Sequence, residues 1–335
     1  LTGGIGAAGD IEGFGPAYDL PNATGYAETC ATIAYALWNW RMSLYHADAK
    51  YMDLFERAAY NAFLSGYGMS GDRFFYPNPL ASDGRHQRTP WFDCACCPPN
   101  IARFIAELGG FAYGVEGNKV YVNLYGHGTA NITTKAGKVA LVQTTDYPWT
   151  GDITIGVAPE KPADLTLMVR VPGWALGKPL PGDLYRYAGE TKGQPVIKVN
   201  GEAVALNIEK GYVPVARTWQ KGDTVEISLP MEARRVLANA DLKSDAGLVA
   251  VERGPLVYCA EFPDNSGRVM PLILEDGAVL KAEARPDLLN GLTIITADLA
   301  KKITLIPYYA WAHRGPGEMA VWLSRRSDAM ATRRD

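Results

Sequence analysis

From Lys119 onward the apolar residues recur at every second position, a pattern that suits pleated strands and that no helix can bury on one face. Segments 120–124, 139–142, 153–155, 165–169 and 225–229 read as strands on this basis. Segments 196–199 and 202–204 flank Asn200-Gly201, a type I′ hairpin signal. A second set follows at 248–251, 256–258, 292–295, 303–305 and 319–323, and a polar stretch at about 232–246 reads as a link. Many short strands divided by Gly, Pro and Asp turns predict β-sandwiches. Two are expected, over 115–236 and 237–325, with a flexible basic tail at 326–335.

Before residue 115 the period is that of a helix. One helix is predicted from near Cys30 to Tyr45, burying Ile33, Leu37, Trp40 and Leu44. A second fits 49–65, with Met52, Phe55, Ala59, Ala62 and Phe63 as its stripe and Gly66 as its stop. A third follows Pro98-Pro99 and ends before Gly109. Three helices in roughly 110 residues bury too little surface to stand alone. Their Trp- and Tyr-rich faces point to a piece of a larger helical barrel. Residues 1–24 are Gly-rich loop in which Asp10, Glu12 and Asp19 are the acidic members. Taken alone, Glu12 reads as a solvated loop carboxylate. The opening Leu1-Thr2-Gly3-Gly4 lacks the order of a signal peptide and reads as an internal start.

The chemistry concentrates in Trp91-Phe92-Asp93-Cys94-Ala95-Cys96-Cys97-Pro98-Pro99-Asn100, which holds three of the five cysteines. Adjacent cysteines seldom bridge each other, because disulfide geometry is hard to meet across one peptide bond. A fourth cysteine lies in Ala27-Glu28-Thr29-Cys30. Three thiolates and a carboxylate suit a tetrahedral zinc ion, so Glu28, Cys30, Cys96 and Cys97 are expected to converge, with Cys94 to spare. The alternatives are a purely structural zinc knot and an inert buried cluster. Glu28 and Cys30 are two apart, which on a regular helix sets them on nearly opposite sides. Residues 26–30 must therefore be irregular, or the helix must begin near Cys30. The pair Cys96-Cys97 precedes a helix, where the dipole favours a thiolate that can be both ligand and nucleophile. Arg85, His86 and Arg88 are expected to add to the positive field. His46, His127 and His313 read as surface or packing residues, and Cys259 as a small core residue.

A net charge of −3 gives no reason to expect nucleic acid or an anionic membrane as partner. No run of 18 apolar residues is present, so no membrane helix is expected. Free thiols in a ligand-like arrangement favour a reducing compartment such as the cytoplasm. Eighteen Tyr and eight Trp suit sugar binding, and suit packing equally well. Neither a Walker-type loop nor a dinucleotide fingerprint occurs.

These motifs carry a resemblance. Thr2-Gly3-Gly4-Ile5-Gly6, Tyr18-Asp19-Leu20-Pro21-Asn22, Tyr26-Ala27-Glu28-Thr29-Cys30-Ala31, Phe75-Tyr76-Pro77-Asn78-Pro79-Leu80, the stretch from Trp91 to Asn100, and Pro307-Tyr308-Tyr309-Ala310-Trp311-Ala312-His313-Arg314-Gly315 resemble motifs of glycoside hydrolase family 127, the β-L-arabinofuranosidases to which family 146 is related. The resemblance covers nearly the whole chain. It implies an (α/α)6 barrel followed by β-sandwich domains. Residues 1–114 would then be the C-terminal portion of that barrel, with most of it upstream of Leu1. It implies Zn²⁺ on Glu28, Cys30, Cys96 and Cys97, with Cys96 as nucleophile, Glu12 as general acid/base and Tyr76 as a substrate contact. The implied partner is an oligosaccharide or glycoprotein glycan, with a homodimer left open. Upstream helices of the family also supply substrate contacts, so this chain alone is expected to hold the metal site without the whole pocket. Two other readings stand beside this one. One is a non-catalytic carbohydrate-binding protein with a structural zinc, and the other is the same mechanism on a different sugar.

Overall fold

The computed structural model describes residues 1–298 and 302–326. Three helices lie near the start: α1 (Thr29–His46), α2 (Ala49–Ala58) and α3 (Cys97–Glu107). A π-helical turn, Ala59–Phe63, continues α2. Met52, Phe55, Ala62 and Phe63 are buried as the stripe predicts, and Met52, Phe55 and Phe63 pack with Phe104 and Phe111 in one aromatic cluster. On α1 the buried face differs from the expected one. It consists of Thr29, Thr32, Ile33, Ala36, Asn39 and Ser43, while Trp38, Leu44 and Tyr45 are 63%, 54% and 84% exposed. Small residues on the inner face let α1 approach α2 closely, which leaves the large apolar groups on the outside. Among the described residues no helix is long and apolar enough to cross a membrane.

The next region is a two-layer β structure. A six-stranded sheet, in the order Glu202–Ala203, Val196–Val199, Asp223–Ser228, Asp152–Pro159, Gly137–Thr145, Gly128–Thr134, faces a four-stranded one made of Tyr212–Trp219, Ala163–Arg170, Lys119–Val122 and Tyr113–Glu116. Their alternating inward residues, among them Val120, Leu141, Ile155, Leu167, Val213, Trp219 and Ile227, form one core. Asn200 and Gly201 both have positive φ (51° and 84°), as a type I′ turn demands.

The last region, expected as a second β-sandwich over 237–325, buries two cores. It is one connected 11-stranded sheet with side branches. Neighbouring residues of its strands enter different cores: Cys259, Ile294 and Ile306 one, and Tyr258, Ile295 and Leu305 the other. Both faces are buried, so strands such as Leu248–Arg253 and Leu256–Glu261 are continuous apolar runs. The presumed link at 232–246 contains the strand Ala233–Ala238, which crosses the expected boundary at 236. It pairs with Leu248–Arg253 and with Tyr185–Tyr187, a strand lent from the middle region. Residues 324–326 belong to the strand Leu323–Arg326, paired to Leu248 and Val249, and the expected tail beyond lies outside the described residues.

Helix α2 joins all three regions through buried polar groups. Arg57 pairs with Glu252 (2.7 and 3.0 Å), which also accepts from Tyr187. Asn61 bonds Pro255 O and accepts from Val257 N. Arg170 reaches back to Asp53 and Glu56 at 2.7 and 2.5 Å.

The glycine-rich opening crosses α2 at close range. Gly3 has φ +82°, and a Cβ there would lie 2.6 Å from the Ala58 backbone. Thr2 O accepts from Ala62 N in the π-helical turn. Gly3→Ala is therefore expected to cost roughly 2–4 kcal/mol, from positive φ plus overpacking. Chaotrope unfolding measures this, and an unchanged midpoint would contradict the close approach.

Candidate metal centre and active site

The site forms where two helix starts meet. Ala27 takes the left-handed conformation (φ 39°) and Glu28, the N-cap of α1, is extended (φ −59°, ψ 140°). The helix begins at Thr29. This is the irregularity that the two-residue spacing required, and it lets Glu28 and Cys30 face one point. Segment 75–78 is stitched alongside: Thr29 N donates to Tyr76 O (2.9 Å), Thr29 Oγ1 to Phe75 O (2.9 Å), and Asn78 Nδ2 to Ala27 O (3.0 Å). Opposite, Cys96 is the N-cap of α3 and Cys97 its first residue, with both prolines in the first turn, where their missing N–H groups cost nothing.

Ligand atoms of Glu28, Cys30, Cys96 and Cys97 all lie within 4.8 Å of one another. Cys30 Sγ is 3.2 Å from Cys96 Sγ, while Cys96 and Cys97 Sγ are 3.4 and 3.7 Å from Glu28 Oε1. A tetrahedron with metal–sulfur bonds of about 2.3 Å has edges of about 3.8 Å, so the quartet needs only small movements to surround an ion. Cys97 is fully buried, Glu28 nearly so, and Cys94 is exposed outside the group. The charges conflict without a cation. Hydrogen bonding, led by Cys97 and helped by Asn100, brings the Cys30 thiol down to about 6. Burial first, with Cys30 and Glu28 adding, pushes Cys96 up to about 11, and Cys30 drives Cys97 higher still. Neighbouring acids cannot all ionise together, and a divalent ion removes that conflict. The four residues could hold such an ion, and their donor chemistry fits zinc.

Around the quartet, Tyr76, Phe92 and Cys96 pack against the same buried cluster. The Tyr76 ring lies edge-on to Phe92 at 5.1 Å and 6.1 Å from Tyr26. Glu12 sits in a tight turn closed by Ala8 and Gly13, is exposed, and accepts from the Tyr26 hydroxyl at 2.9 Å. The basic side chains expected to add positive charge are engaged elsewhere. Arg85 pairs with Asp83, and Arg88 is buried on the carbonyls of Ser65, Tyr309 and Trp311. His86 Nε2 meets Pro77 O at 3.0 Å, and its ring stacks on Phe75, where burial lowers its pKa and favours the neutral form.

Three family profiles match the chain in succession. They are the family 127 β-L-arabinofuranosidase catalytic domain over residues 1–110, its middle domain over 119–231, and the family 127 C-terminal domain over 233–324. The chain belongs to glycoside hydrolase family 127. It is 33% identical, over 97% of its length, to the non-reducing end β-L-arabinofuranosidase of Bifidobacterium longum subsp. longum, of which it covers 53%. Among solved structures it is similar to a family 127 β-arabinofuranosidase (47% identity, TM-score 0.94) and to a family 127 β-L-arabinofuranosidase from Geobacillus stearothermophilus T6 (38%, 0.88). Each match covers 97% of this chain, and 53% and 54% of the respective structures. The chain thus spans about half the length of these family 127 relatives.

Residue-type reasoning missed the supports. Tyr308 donates to Asn78 O and Pro79 O (3.0 and 2.9 Å), and Trp311 stacks on Phe75 at 4.9 Å, so the last region braces the segment that carries Tyr76. Tyr26 was visible only as part of a motif, since nothing in its spacing points at Glu12.

Proposed function

We propose that this family 127 chain carries the catalytic centre of a retaining glycosidase that releases terminal β-L-arabinofuranose, or a similar furanose, from plant-type glycans. The observation that carries the reading is the convergence of Glu28, Cys30, Cys96 and Cys97 on one point, beside the cluster against which Tyr76 packs. Those four residues would hold zinc. When bound, zinc supplies positive charge that keeps the cysteines ionised near neutral pH. Retention needs two displacements. In the first, Cys96 Sγ bonds to the anomeric carbon while Glu12 gives its proton to the departing oxygen. In the second, Glu12 takes a proton from water, whose oxygen displaces the sulfur. Tyr76 would contact the sugar and orient it.

We further propose that α1, α2 and α3 are the C-terminal part of an (α/α)6 barrel whose other helices come from outside these 335 residues. The exposed Trp38, Leu44 and Tyr45 on α1 support this, as does coverage of about half of each relative.

The full-length protein is expected to hold one zinc per chain and to cleave an aryl β-L-arabinofuranoside with retention. Elemental analysis and NMR of the first-formed sugar check both. Zinc retained with no hydrolysis across a panel of furanosides would leave only a binding protein, and release of an inverted sugar would exclude the double displacement.

A further inference from the structure

Glu12 is a poor candidate for a well-placed acid on its own. It is exposed, its backbone is left-handed (φ 48°), and it sits on a glycine-rich turn. A free glutamate there would spread over several rotamers, and misplacement of the proton donor is costly to rate. Among the described residues its one side-chain hydrogen bond comes from Tyr26, at 2.9 Å. The Tyr26 ring is fixed by the same turn: a Cβ on Gly9 would lie 3.2 Å from its Cδ2, and one on Gly6 3.8 Å from its Cδ1. The base of the turn is tied to the residue after Tyr26 by Ala27 N donating to Gly6 O (2.8 Å). The Tyr26 ring also lies 6.1 Å from that of Tyr76, which packs against the same cluster as Cys96.

We propose that Tyr26 is a positioning residue that holds the Glu12 carboxyl at the leaving-group side of the site and fixes it relative to Tyr76 and Cys96. The inference rests on the Glu12 role proposed above. It assigns the glycines at 6 and 9 a purpose, since a side chain at Gly9 would press on the Tyr26 ring. Tyr26→Phe keeps the ring and removes only the hydroxyl.

The test compares full-length wild type, Tyr26→Phe, Glu12→Gln and the double variant on two aryl β-L-arabinofuranosides. One has a dinitrophenyl group that leaves without protonation, and the other a methoxyphenyl group that needs it. Loss of general-acid help costs roughly 10²–10⁴-fold. Tyr26→Phe is expected to lower kcat/KM for the methoxyphenyl substrate about 10–10²-fold and for the dinitrophenyl one less than about threefold, with zinc content unchanged. Added to Glu12→Gln, it should change nothing further. Equal losses on both substrates, no loss on either, an additional loss in the double variant, or failure of Tyr26→Phe to fold would each overturn the inference. If Glu12→Gln itself leaves the methoxyphenyl substrate untouched, the Glu12 role fails. If only Tyr26→Phe lacks the split, the positioning role alone fails.

Discussion

Cys96→Ser in the full-length protein is expected to reduce turnover of an aryl β-L-arabinofuranoside by at least about 10³-fold. The serine hydroxyl would need a base, but the adjacent Glu28 carboxylate would be committed to the ion and Glu12 is required as the acid in the first displacement. His86 has its Nε2 on Pro77 O, and Tyr76 is a phenol whose pKa is itself raised by Cys96. A thiol can be carried into its anionic form by a neighbouring cation, whereas an alcohol in the same position resists it. Stopped-flow release of the aryl group, run beside elemental analysis, separates the possibilities. Turnover within about tenfold of wild type would remove the thiolate from the mechanism. Hydrolysis lost together with all zinc would leave a structural role for Cys96 in play, which Cys30→Ser can then calibrate.

The largest expected effect on stability lies some distance away, at Arg170. Its guanidinium is fully buried between Asp53 and Glu56, and Glu56 is also held by Tyr147 (2.7 Å) and Trp174 (3.3 Å). Arg170→Met fills much the same volume but strands two carboxylates, so a loss of about 3–5 kcal/mol is expected near pH 8. The loss should depend on pH with a definite sign. Burial already pushes Asp53 up to about 6, with Arg170 opposing. Without the arginine Asp53 rises further. The folded variant then keeps a proton that the unfolded chain has released, and its stability falls as pH rises toward that raised value. Urea unfolding at about pH 5 and pH 8 should find the smaller gap to wild type at the lower pH. Equal gaps would mean that packing, and not stranded charge, is responsible.

What could be read from the chain followed from how local the physics was. The quartet Glu28, Cys30, Cys96 and Cys97 was legible because ion binding demands particular residue types at short spacings, and the conflict of a two-residue gap forced the right break before Thr29. Strands with one wet face, such as Asp152–Pro159, showed their alternation. Tyr212–Trp219 did not, because Pro214 interrupts it. The strand sits at the edge of its sheet, where a missing N–H is tolerated. Val279–Arg285, with Lys281, Glu283 and two alanines, has a helix-like composition and is also an edge strand. Asp53, Glu56 and Arg57 look like the solvated side of an amphipathic helix. Their partners, Arg170 and Glu252, are 114 to 195 residues away, and no periodicity reports a contact of that span. The strand Ala233–Ala238 was read as a link because its two arginines and flanking polar residues hide its pairing with Leu248–Arg253.

The bracing of segment 75–79 by Tyr308 and Trp311 bears on how the molecule can be dissected. An engineer who trimmed the polypeptide after the middle region, to obtain a minimal enzyme, would strip the donor from two inward-facing carbonyls and bare one side of Phe75. The segment that carries Tyr76 would then lose its backing, although Glu28, Cys30, Cys96 and Cys97 were all still present. The terminal third is better regarded as a buttress of the candidate site than as an accessory module.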